Sequence, residues 1–101
     1  MIKPVDESEA RAVLADEFQA LRSVPYAQLV ERLLDRQEAK ETIGPSGAWY
    51  QLELQAFWDS PREPDGVLRV SGAIDDGKGW RANVPLVDDF LVSPDGSFVG
   101  E

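Results

Sequence analysis

The sequence contains no cysteine and no histidine. Without cysteine, the chain has no disulfide, no thiolate ligand for zinc or an iron–sulfur cluster, and no thiol nucleophile. Without histidine, it has no imidazole base, no Ser-His dyad and no His-ligated metal site. Catalysis that depends on either side chain is therefore excluded, and an enzyme of this sequence would have to work with carboxylates alone.

Positive charge is also scarce, because 10 lysine and arginine residues stand against 19 aspartate and glutamate residues, a net charge of −9. Residues 1–50 hold six basic and nine acidic side chains, a net charge of −3, whereas residues 51–101 hold four and ten, a net charge of −6. A field of this sign repels nucleic-acid phosphates and anionic lipids. We therefore expect neither nucleic acid nor a membrane as a partner.

Long apolar runs are missing as well. No stretch approaches the roughly 20 residues that a membrane-spanning helix needs. Residues 1–9 contain one lysine and no apolar segment of the kind found in secretory signals. The sequence therefore predicts a cytoplasmic protein.

The composition is that of a globular protein, with 43% apolar and 29% charged residues in 101. A chain of this length buries about two-thirds of its unfolded surface, enough for one core. We therefore expect a single domain over residues 1–101. It should consist of a helical hairpin over about residues 7–36 and a β-rich part over about residues 38–101.

Apolar residues at helical spacing predict two N-terminal helices. The first should span about residues 7–22, with Asp6 as its N-cap and Glu9 three residues later, as in a capping box. The second should span about residues 25–36, with Ser23 as its N-cap. The two apolar stripes are Ala10, Val13, Leu14, Phe18 and Leu21 in the first helix, and Tyr26, Leu29, Val30, Leu33 and Leu34 in the second.

The chain then changes to the alternating pattern of strands, most clearly over residues 48–58 and 67–74. Weaker extended segments are expected at 38–43, 83–86, 90–93 and 97–99. Helices followed by strands predict an α+β fold, with both helices on one face of an antiparallel meander of three to five strands. The face under the helices should carry Tyr50, Leu52, Leu54, Leu68, Val70 and Ile74.

The opposite face of this sheet is the candidate binding site, because two helices can cover only one face. Alternation places large rings there, and large aromatic residues within a polar rim are typical of protein interfaces. Alternatively, the last segment, with Phe90, Leu91, Phe98 and Val99, could fold over this face. A cross-strand ion pair between Glu53 and Arg69 is also expected. The predicted partner-binding residues are Trp49, Phe57, Val67, Arg69 and Ala73.

No catalytic residue, cofactor or metal site is predicted. Asp75, Asp76, Asp88 and Asp89 offer oxygen ligands, but they lack the spacing of a calcium-binding loop and are typical of turns. The Gly-Pro-Ser-Gly turn at 44–47 lacks the spacing of a nucleophile elbow.

Three functions remain. The leading hypothesis is a non-enzymatic protein-interaction module, with self-association as one form. The alternative is an acidic inhibitor or immunity-type protein that neutralises a basic partner such as a nuclease. A hydrolase using carboxylates alone is the second alternative.

Overall fold

The computed structural model describes residues 7–75 and 86–101. These residues form two helices, α1 (Glu7–Arg22) and α2 (Tyr26–Leu33), and one four-stranded antiparallel sheet. The strands are β1 (Gln37–Ile43), β2 (Trp49–Trp58), β3 (Leu68–Asp75) and β4 (Leu86–Val92). Each strand pairs with its neighbour in sequence, in the order β1-β2-β3-β4. The α+β prediction, with helices on one side of an antiparallel meander, is confirmed.

Helix α1 has the predicted bounds, but α2 ends three residues earlier than predicted, at Leu33 instead of Arg36. Leu34 continues the apolar stripe in sequence, yet its backbone is extended, with φ −65° and ψ 127°. Leu34 forms an isolated parallel bridge to Ala56 of β2, and Asp35 takes a positive φ of 56°. A tertiary contact with the sheet therefore ends the helix before its apolar pattern does.

The sequence predicted Asp6 and Ser23 as the N-caps of α1 and α2. Asp6 lies outside the described residues. Ser23 is not the N-cap of α2, because Pro25 takes that place and no side chain caps the helix. The Ser23 hydroxyl instead donates to the carbonyl of Gln19 in α1, at 3.4 Å. Proline suits the start of a helix because its missing N–H has no intrahelical partner there.

The core lies between the helices and one face of the sheet. Along β2 and β3 every second side chain is buried, as the alternation of the sequence predicts. The buried apolar residues are Ala10, Leu14, Phe18, Leu21, Leu29, Leu33, Tyr50, Leu52, Leu54, Ala56, Leu68, Val70, Ile74, Phe90 and Val92. Helix α1 packs over β3 and β4, and α2 packs over β2.

The final segment, residues 93–101, turns back and pairs with β4, and its Phe98 side chain lies on the helix side. Phe98 forms a bridge to Val92, and the Val99 N–H donates to the Leu91 carbonyl at 3.0 Å. The Phe90 ring packs edge-on against Phe18, with ring centroids 5.3 Å apart, and against Phe98, at 5.9 Å. The alternative in which this segment folds over the opposite sheet face is therefore wrong, because Phe90 and Phe98 lie on the helix side. Leu91 is on the opposite face as a residue of β4, with Val99 beside it.

Candidate functional site

The far face is the sheet surface opposite the helices. The strand register places on it the odd-numbered residues of all four strands. At one end of the sheet, Ile43 lies opposite Trp49. At the other end, Arg69 lies between Phe57 of β2 and Leu91 of β4. Glu53 and Ala73 form the middle. No element of the described chain packs over this surface.

Large apolar side chains are concentrated on the far face. Ile43, Trp49, Phe57 and Val87 are 60%, 57%, 42% and 59% exposed. Only one further large hydrophobic residue of the described chain, Val99, is exposed to this degree, and it lies in the final segment. Apolar area left in water is unfavourable by about 25 cal/mol per Å². These four side chains make the far face the candidate contact surface.

The five predicted site residues do not converge on one point. At about 3.3 Å per residue, Trp49 and Phe57 lie roughly 26 Å apart along β2. Arg69 is the cross-strand neighbour of Phe57, Val67 directly precedes β3, and Ala73 lies in the middle of the face. The structure adds Ile43 and Val87. The segment that ends at Ile43 was only weakly predicted, and Val87 lies between the predicted extended segments 83–86 and 90–93, whereas β4 runs through it.

Arg69 does not pair with Glu53, so that prediction is wrong. Its Nη2 donates to Asp59 Oδ1 at 2.6 Å, and its Nη1 donates to Asp89 Oδ2 at 2.6 Å. These two hydrogen bonds, first that to Asp59 and then that to Asp89, raise the pKa of Arg69. Glu53 instead lies opposite Ala73. Its Oε2 accepts a hydrogen bond from Gln37 Nε2 at 3.1 Å.

A polar cluster holds the Trp49 end of the face in place. The Tyr50 and Ser46 hydroxyls each donate to Glu9 Oε1 at 2.7 Å, and the Ser46 N–H donates to Oε2 at 2.8 Å. The hydrogen bond from Tyr50, followed by those from Ser46, lowers the pKa of Glu9. The cluster ties the β1–β2 turn to α1, and so fixes Ile43 and Trp49, which flank that turn. No local pattern in the sequence indicates this long-range contact.

The prediction of turns at Asp75, Asp88 and Asp89 is wrong, because these residues lie in β3 and β4. Within residues 7–75 and 86–101 there is no group of three Asp, Glu, His or Cys side chains that could hold a metal ion. Asp88 and Asp89 are neighbours in β4 and so lie on opposite faces of the sheet, while Asp76 lies outside the described residues.

The helix side contains a shallow groove between α1 and β1. It has a volume of about 390 Å³ and is lined by residues that include Val13, Glu17, Thr42 and Leu52. Lys40 of β1 and Glu17 of α1 form an ion pair nearby, with Nζ–Oε1 at 3.0 Å.

Among the described helices, neither is long and apolar enough to cross a membrane.

Comparisons with protein-family models, with curated proteins and with solved structures find no match for this chain.

Proposed function

We propose that this protein is a non-enzymatic protein-interaction module whose contact surface is the far face. One observation carries the proposal: four large apolar side chains lie exposed on the sheet face that the helices and the final segment leave uncovered. Interfaces combine aromatic anchors with a polar rim, and hot-spot residues are enriched in tryptophan. Trp49 and Phe57 are the proposed anchors.

The placement of polar residues supports the same function. Gln51, Glu53 and Gln55 separate Trp49 from Phe57 on the same face of β2. A surface that combines exposed rings with hydrogen-bonding side chains can bind another protein and still remain hydrated when free. The sequence supports the non-enzymatic part of the proposal, since it contains neither histidine nor cysteine.

The test compares association of the parent with that of far-face variants. Trp49→Ala removes the more exposed ring, and Phe57→Asp places a charge at the other end of the face. Gln28→Ala and Gln28→Asp are matched controls, because Gln28 is exposed on α2, on the helix side of the sheet. Sedimentation velocity measures self-association, and quantitative capture from a lysate of the source cells measures binding to other proteins.

We expect Trp49→Ala and Phe57→Asp to reduce association at least about tenfold, which corresponds to about 1.4 kcal/mol, while both Gln28 variants associate like the parent. Circular dichroism must show that each variant is folded. Equal association of the parent and the far-face variants would overturn the proposal. So would the absence of association in both sedimentation velocity and lysate capture.

A further inference from the structure

The far face differs from an ordinary apolar patch in the charge that surrounds its rings. Its described residues include four carboxylates, those of Glu41, Glu53, Asp75 and Asp89, and one cation, Arg69. Arg69 is already held by Asp59 and Asp89. The other cation of the neighbouring strands, Lys40, lies on the helix side and pairs with Glu17. The far face therefore offers apolar side chains within a negative field.

We propose that the occupant of the far face is a basic protein, one that presents arginine or lysine side chains to it. This inference rests on the proposed function and names its partner. Charge complementarity between the two surfaces carries it, because opposite charge steers encounter and suppresses partners of like charge.

The Trp49 end of the face has the geometry to receive a cationic side chain. Ile43 lies directly opposite Trp49, and Glu41 is the diagonal neighbour on β1. Diagonal neighbours in an antiparallel pair are roughly 7–8 Å apart, within reach of a large ring and a long side chain. A guanidinium that lies over the indole face gains a cation–π interaction, and its planar fork can also donate to a nearby carboxylate.

The same charges disfavour a second copy of this chain. A two-fold interface brings one surface against itself, so far-face carboxylates would lie against far-face carboxylates. Like charges brought together at an interface oppose binding. The whole chain carries a net charge of −9, which adds repulsion at long range.

The test uses immobilised parent protein and a lysate of the source cells. Captured proteins are identified, purified and titrated against the parent at about 50 mM and about 500 mM salt, since charge-driven binding weakens with ionic strength. Glu53→Lys reverses a charge on the far face. Glu31→Lys is the matched control, because it makes the same change in net charge at an exposed position of α2. Trp49→Ala tests the face itself, and sedimentation velocity tests self-association.

We expect the captured protein to carry net positive charge. At low salt, Glu53→Lys should weaken binding about tenfold and Glu31→Lys less than about twofold, with the difference shrinking at high salt. Trp49→Ala should also weaken binding.

Two results would overturn this inference and leave the proposed function standing. The first is a dimer of the parent that Trp49→Ala dissociates. The second is a neutral or acidic partner whose binding is lost in Trp49→Ala but unchanged in Glu53→Lys. Binding that Trp49→Ala does not affect, or a monomer that captures nothing, would overturn the proposed function and this inference with it.

Discussion

Phe18 of α1 lies directly against Gly72 of β3, on the helix side of the sheet. A Cβ atom at position 72 would lie 2.7 Å from Phe18 Cε1 and 3.0 Å from Leu14 Cδ1. Both distances are shorter than van der Waals contact, so only glycine lets α1 approach the sheet this closely. The absence of a side chain at Gly72 therefore determines how closely α1 packs against β3.

Gly72→Ala should therefore lower the free energy of unfolding by about 1–3 kcal/mol, the usual cost of overpacking a core. Urea denaturation measures the change. Ala73→Val, which adds bulk to the next residue of β3 on the far face, is the control and should change stability little. Combining Gly72→Ala with Phe18→Leu should cost less than the sum of the two single changes, because the smaller side chain relieves the clash. Strict additivity would show that Phe18 is not what limits the space.

Leu33→Ala tests the packing of α2 on the sheet. Leu33 is fully buried, so its truncation should cost about 2–5 kcal/mol through lost burial and the cavity left behind. Val87→Ala, at an exposed position of the far face, is the control and should stay within about 0.5 kcal/mol of the parent. A melting midpoint of Leu33→Ala close to that of the parent would contradict the observed packing.

Arg22 should hold the final segment in place. Its guanidinium carbon lies 4.3 Å from the Phe98 ring centroid and 5.3 Å from that of Phe90, and it also pairs with Glu101. Arg22→Ala should lower the free energy of unfolding by about 1 kcal/mol and make residues 93–101 more susceptible to limited proteolysis. Arg22→Lys should restore only part of this protection, because an ammonium group lacks the planar fork of arginine. Unchanged cleavage in Arg22→Ala would exclude this role.

Glu9 should give the stability a dependence on acid pH. Its pKa is lowered in the folded protein, first by the hydrogen bond from Tyr50 and then by those from Ser46. A carboxylate of this kind stabilises the fold fully above its unfolded pKa, and the effect is lost as the pH falls through the folded pKa. The difference in unfolding free energy between parent and Glu9→Gln should therefore be largest at neutral pH and shrink in acid. Tyr50→Phe should reduce the pH-dependent part of the difference, whereas a difference that is the same at all pH values would contradict the assignment.

Divalent metals should not stabilise the protein. A ligand that binds only the folded state must raise the melting temperature with its concentration. Micromolar Ca²⁺, Mg²⁺ or Zn²⁺ should leave the thermal midpoint unchanged, with a chelator as the reference condition. A rise that saturates with any of the three ions would contradict the prediction that the chain has no metal site.

The sequence predicted which face each residue of β2 and β3 occupies, because side chains alternate strictly along a strand. It did not predict which residues lie opposite each other. Glu53 and Arg69 are both on the far face, as expected, but the register pairs Glu53 with Ala73 and Arg69 with Phe57. Alternation fixes the face of a residue, whereas register also depends on the turns that connect the strands.

Long-range contacts explain the other differences. The apolar stripe of α2 continues to Leu34, but the bridge to Ala56 of β2 takes this residue out of the helix. The hydrogen bonds that join Glu9 to Ser46 and Tyr50 link residues far apart in sequence, and no local pattern indicates them. The candidate site was predicted at Trp49 and Phe57, whereas Ile43 and Val87 became part of it only through the pairing of β1 and β4.

The strictly sequential order of the strands bears on how the chain folds. Because every strand pairs with its neighbour in sequence, the sheet forms without crossover connections. Chains dominated by such local pairings have low contact order and reach the native state quickly. The contact between Phe18 and Gly72 joins opposite halves of the chain. Packing α1 on β3 therefore has a larger entropic cost of loop closure than pairing neighbouring strands. The meander can thus form as a template onto which the first helix docks.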